Sequence, residues 1–81
     1  MPTDLPDLRQ IKTLVAIADT GSFTKAAKQL FVTQSAVSHS IRGLEDQVGA
    51  KLVERFGKRI SLTQDGVVFL RRSRRALHEL E

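Results

Sequence analysis

Cysteine is absent from these 81 residues, and its absence removes disulfides, thiolate catalysis and cysteine-based zinc sites together. Long apolar runs are absent too. The longest, Leu14 to Ala18, is far short of the ~18 residues a membrane span needs. Nothing at the amino terminus resembles a signal peptide. The two histidines, His39 and His78, are far apart in sequence and lack ligand companions, so no metal site is expected. No cofactor is expected either. Ser38 and His39 are adjacent on a helix and therefore diverge by about 100°, with no carboxylate placed to orient the imidazole, so they do not form a catalytic pair. Glu45 and Asp46 read as carboxylates at a helix end rather than as an acid/base pair. The chain is not expected to be an enzyme.

What remains is a small domain with 41% hydrophobic residues, enough for one modest core and too little to enclose a large pocket. The net charge of +4 is unevenly placed. Residues 1 to 49 carry equal numbers of acids and bases. The excess lies beyond them, in Lys51, Arg55, Lys58, Arg59 and the run Arg71, Arg72, Arg74, Arg75. A basic half favours a polyanionic partner, although simple solubility explains it equally well.

Along the chain, Leu8, Ile11, Leu14, Val15 and Ala18 recur at helical spacing, which predicts an amphipathic helix from Pro6 or Asp7 to Gly21. Ser22 suits the cap of a short second helix ending at Leu30, where Ala26 and Ala27 permit close approach. Thr33 suits the cap of a third, with Val37, Ile41, Leu44 and Val48 as its buried stripe and Gly49 as its stop. The period then becomes strand-like. KLVERF and RISLT, joined at Gly57 and Lys58, predict a hairpin. Thr63 suits the cap of a final helix from Gln64, in which Phe69, Ser73, Ala76 and Leu80 are spaced as a seam with Leu70 and Leu77 beside it. That seam predicts dimerisation. The helix meets no stop signal before Glu81, which points to a piece of a longer protein.

The stretch TQSAVSHSIRGLE, residues 33–45, carries short hydrogen-bonding side chains where a solvent-facing helix usually carries long charged ones. With the stripe turned inward, a helical wheel points Ser35, His39 and Arg42 outward, flanked by Ala36 and Ser38, with Gln34 in the first turn. A helix entering a DNA major groove needs small residues where its backbone comes close and polar ones where base edges and phosphates lie. A solvated polar face fits this stretch about equally well. Two helices joined by a tight turn and followed by a hairpin shift the balance toward a mainly α winged helix-turn-helix: three helices and a two-stranded wing, followed by a long linker helix. Ser22 and Thr24 are candidate phosphate donors beside the start of the second helix, although capping alone explains Ser22.

The stretches LVAIADTGSFTKAAKQL, VTQSAVSHSIRGLE and LVERFGKRISLTQDG resemble the DNA-binding domain of LysR-type transcriptional regulators over nearly the whole chain. The resemblance implies a winged helix-turn-helix over 6–63, with the helix-turn-helix at 23–42 and the wing at about 51–63, and a linker/dimerisation helix over 64–81. It places Gln34, Ser35, Ala36, Ser38 and His39 at base-reading, groove-facing positions of helix 34–48. Ser22, Thr24, Thr33 and Arg42 fall beside the DNA backbone, and Lys58 and Arg59 form the tip of a wing (57–59) directed toward the minor groove or backbone. Two residues depart from the usual pattern: Ser35 stands where proline is frequent and His39 where arginine is usual. The bidentate arginine–guanine contact is therefore lost at that position. The resemblance further implies double-stranded DNA as partner and a homodimer through the last helix on an imperfect inverted repeat. For the full-length protein it implies a tetramer, a small-molecule effector bound by a C-terminal domain absent from this chain, and a bacterial cytoplasmic, nucleoid-associated location. A rival reading is a winged-helix module that dimerises through 64–81 and uses its basic face for an acidic protein.

Overall fold

The computed structural model describes residues 7–80, and side chains as far as Ala76. Six elements follow in order: α1 (Leu8–Thr20), α2 (Phe23–Leu30), α3 (Gln34–Val48), β1 (Val53–Phe56), β2 (Arg59–Leu62) and α4 (Gln64–Leu80).

Local chemistry sets most of these boundaries. The Asp7 carboxylate accepts from the Gln10 amide at 2.8 Å, and the Gln10 side chain accepts in return from the Asp7 amide at 3.0 Å. This reciprocal capping box starts α1. Gly21 ends it in the left-handed conformation, at φ 69°, which glycine adopts without a Cβ penalty. Ser22 caps α2 through the Lys25 amide and Thr33 caps α3 through the Ala36 amide. The end of α2 is less ordinary: Phe31 closes it at φ 60°, a conformation costly for a bulky side chain, and its ring is 93% exposed.

α1 is the central element and packs against α2, α3, β2 and α4. Its buried face is therefore wider than the expected stripe and turned from it. Thr13, Leu14, Ala16 and Ile17 are buried, whereas Ala18 is exposed and Leu8 is 49% exposed. Thr13 is tolerated inside because its hydroxyl donates to the Arg9 carbonyl at 2.8 Å. Val37, Ile41 and Leu44 of α3 are buried as expected, but Val48, in the last turn, is 38% exposed. The next fully buried side chain is Leu52, which joins Leu14, Ile17, Val37 and Leu44 in the core. Burial of each such aliphatic side chain contributes about 1.5–3 kcal/mol.

β1 and β2 pair antiparallel, Val53 with Leu62 and Phe56 with Arg59, around the two-residue turn Gly57–Lys58. Gly57 has φ 60°, as the first turn position of a tight hairpin requires. Two strands alone are marginally stable. Here Ile60 is buried and its amide donates to the Gly21 carbonyl at 3.0 Å, so β2 is fastened to the α1–α2 junction. The Thr63 amide donates to the Leu52 carbonyl at 3.0 Å, and its hydroxyl donates to the Lys51 carbonyl at 2.6 Å while accepting from the Gly66 amide at 2.9 Å. α4 thus starts pressed against the segment that enters β1. A Cβ on Gly66 would collide with the Leu52 carbonyl oxygen, so only glycine fits there.

The predicted dimer seam divides. Leu70 is a correction to it: at 5% exposure it belongs to this chain's own core, because α4 packs back on α1 and β2. Phe69 is half-buried and packs against the same core. Ser73 is half-buried and Ala76 exposed, while the side chains of Leu77 and Leu80 lie outside those described.

Candidate nucleic-acid interface

α3 is fastened on one side by Val37, Ile41 and Leu44, and this leaves the opposite arc free. Gln34, Ser35, Ser38, His39 and Arg42 line one shallow depression of about 490 Å³ on that arc. Four of the five are exposed and Ser38 is half-buried. The depression is narrower than the expected groove-facing set. Ala36, also exposed, lies with Val32 and Ser40 in an adjoining hollow that shares His39 with the depression.

The depression combines hydroxyls, an amide, an imidazole and a guanidinium, a mixture able both to donate and to accept. Within it, Gln34 is oriented from outside its own helix. The Thr24 hydroxyl of α2 donates to Gln34 Oε1 at 3.2 Å, so the Gln34 carbonyl is engaged and its amide hydrogens are left for a partner. This contact joins two residues ten apart, and sequence spacing gave no sign of it. Ser22 and Thr33 stand at the starts of α2 and α3 with their hydroxyl oxygens accepting capping bonds. Each hydroxyl still carries its own hydrogen, and both helix starts present unpaired backbone amides.

The wing residues separate. Lys58 is exposed in the hairpin turn. Arg59 folds back over the α1–α2 junction, where a Cβ on Gly21 would lie 3.0 Å from its Nη2. Both side chains remain exposed, although adjacent residues at a strand start point to opposite faces. Spacing identified Glu45 only as a helix-end carboxylate; its largely buried side chain accepts from the Leu52 amide at 2.8 Å and the Val53 amide at 3.3 Å. Among the described residues no cluster of three or more histidine, aspartate or glutamate side chains could hold a metal. Also among them, no helix is long and apolar enough to cross a membrane.

Comparison with known proteins bears directly on this surface. Residues 8–67 match the model of the bacterial regulatory helix-turn-helix proteins of the lysR family. An uncharacterized HTH-type transcriptional regulator of Azotobacter vinelandii is 41% identical over 75 residues, which cover 93% of this chain and 52% of that protein. The glycine cleavage system transcriptional activator of Escherichia coli K12 is 47% identical over 66 residues, covering 82% of this chain and 22% of the activator. The chain thus spans about half the length of the first relative and about a fifth of the second. Among solved structures, the CbnR DBD–DNA complex superposes with a TM-score of 0.84 at 36% identity, covering 91% of this chain and 85% of that one. The BenM DBD complex with benA site 1 DNA superposes at 0.83 and 32% identity, covering 91% and 83%. These relatives are transcriptional regulators, not enzymes, and the four helices and two-stranded sheet found here are their winged helix-turn-helix. The chain belongs to the lysR family of bacterial regulatory helix-turn-helix proteins and is a DNA-binding domain of that family.

Proposed function

We propose that this domain reads a specific double-stranded DNA sequence as a homodimer on an imperfect inverted repeat. α3 enters the major groove, where Gln34, Ser35, Ser38 and His39 face base edges and Arg42 faces the backbone. The starts of α2 and α3, with Ser22, Thr24 and Thr33, approach phosphates. Lys58 reaches the flanking minor groove or backbone from the wing. The observation that carries this reading is the depression on α3, which gathers five polar side chains on the one arc that the core leaves open. The similarity to domains solved with DNA supports it.

Helix α4 acts as the linker and dimerisation helix through half-buried Ser73, exposed Ala76 and the Leu77 and Leu80 positions that continue the spacing. In a longer parent protein, a C-terminal domain binds a small-molecule effector, the protein assembles as a tetramer, and it works in the cytoplasm on the nucleoid.

Selection of binding sites from random duplexes tests the reading. An inverted repeat is expected, and its half-site spacing reports dimer symmetry. Recovery of no preferred sequence, together with affinity that depends on salt alone, would leave only nonspecific binding and sink the proposal.

A further inference from the structure

A reader with two DNA-contacting parts needs a fixed distance between them, and the four-residue link Gly49–Leu52 joins the recognition helix to the wing. Thr63 holds the carbonyls of Lys51 and Leu52 in this link, and Glu45 holds the link's amides. Its backbone carbonyl accepts from the Gly49 amide at 2.8 Å and the Ala50 amide at 3.3 Å. Its side-chain Oε2 accepts from the Leu52 amide at 2.8 Å and from the amide of Val53, the first residue of β1, at 3.3 Å. The other oxygen, Oε1, lies 3.6 Å from Lys51 Nζ. The carboxylate is 11% exposed and the lysine 82%, so the ion pair is a solvated accessory and the amide bonds are the structural part.

We propose that Glu45 is a positioning residue for DNA recognition: without touching DNA, it sets where the wing stands relative to the base-reading face of α3. β2 is held separately, through the Ile60 amide on the Gly21 carbonyl. With the Glu45 side chain removed, β1 loses its side-chain tie to α3 while Leu52, the Thr63 bonds and the Ile60 amide still hold the base of the hairpin, so the wing shifts on those anchors rather than detaching. Lys58, at the turn, is then displaced from its phosphate. The proposal rests on the DNA geometry argued above, in which α3 and Lys58 both make contact.

A double-mutant cycle read by fluorescence anisotropy on the selected duplex tests it, with folding of each variant followed by circular dichroism. In wild type, Lys58→Ala is expected to weaken binding several-fold and to lower the salt slope by about one. In a Glu45→Ala background the same change is expected to alter affinity by less than about twofold, because the cation no longer reaches its contact. His39→Ala should still cost as much there as in wild type, since α3 docks as before. Glu45→Gln keeps an oxygen acceptor and should restore the dependence on Lys58, and Lys51→Ala should leave binding unchanged. Full additivity of Glu45→Ala and Lys58→Ala in a folded protein would overturn the inference. Where Glu45→Ala does not fold, Glu45→Asp carries the same cycle with the carboxylate withdrawn by one methylene, and additivity there is equally fatal. A wild type indifferent to Lys58→Ala would instead remove the wing contact itself and this inference with it, a result distinct from additivity.

Discussion

The recognition helix and the wing, the two parts proposed above to meet DNA, are held in place by different means. α3 has a buried stripe at helical spacing within its fifteen residues and a cap on the residue at either end, Thr33 and Gly49. The wing has two four-residue strands with Ile60 as their one buried side chain, and its hold on the domain comes from Gly21, Glu45, Leu52 and Thr63. The helix is a self-specified element whose polar arc can vary without disturbing its fold. The wing is a borrowed element, and its placement is a property of its neighbours.

The change expected to erase the difference altogether is Leu44→Ala. Leu44 is fully buried where α3 meets the rest of the core, and truncation should cost about 2–5 kcal/mol, seen as a large fall in thermal midpoint and loss of binding by both regions. A midpoint within a few degrees of wild type would mean that the core does not depend on α3 as the burial indicates.

His39→Ala probes the helix without the wing. Loss of a base contact should cost about 1–3 kcal/mol on the selected site and much less on a scrambled duplex. Equal losses on both would make His39 a phosphate contact, and no loss on either would make it solvated surface. Lys58→Ala probes the wing without the helix, with the opposite signature: a smaller loss, similar across sequences, and a salt slope lower by about one. Anisotropy at two salt concentrations separates the two patterns.

The smallest effect concerns the turn that leads into α3. Phe31 is held at φ 60° with its ring in water, so Phe31→Gly should relieve backbone strain and raise stability by up to about 1 kcal/mol in chemical denaturation. A loss of stability would show that the exposed ring makes a contact that its exposure does not reveal.

Particular residues show how far the sequence could be followed. Asp7, Ser22, Thr33 and Thr63 mark their helix starts because a cap bonds to an amide two or three residues on, an interaction contained in the sequence spacing itself. Glycine signals worked for the same reason at Gly21, Gly49 and Gly57. Gly66 did not announce itself, because its need is for room against the Leu52 carbonyl, fourteen residues away. The buried faces were harder. A stripe of one helix assumes one neighbour, but α1 has four, so Thr13, Ala16 and Ile17 are covered while Leu8 and Ala18 are not.

By itself, therefore, the sequence determined the helices, the hairpin turn, the small polar arc of α3 and, through its motifs, the family, because each is encoded in spacing within a few turns of chain. The tertiary structure alone decided that Leu70 serves the core, that Arg59 lies back on Gly21, that Thr24 orients Gln34 and that Glu45 gathers the link to the wing. Each of these depends on groups brought together from separate elements, and no periodicity along a single element records which neighbour will arrive.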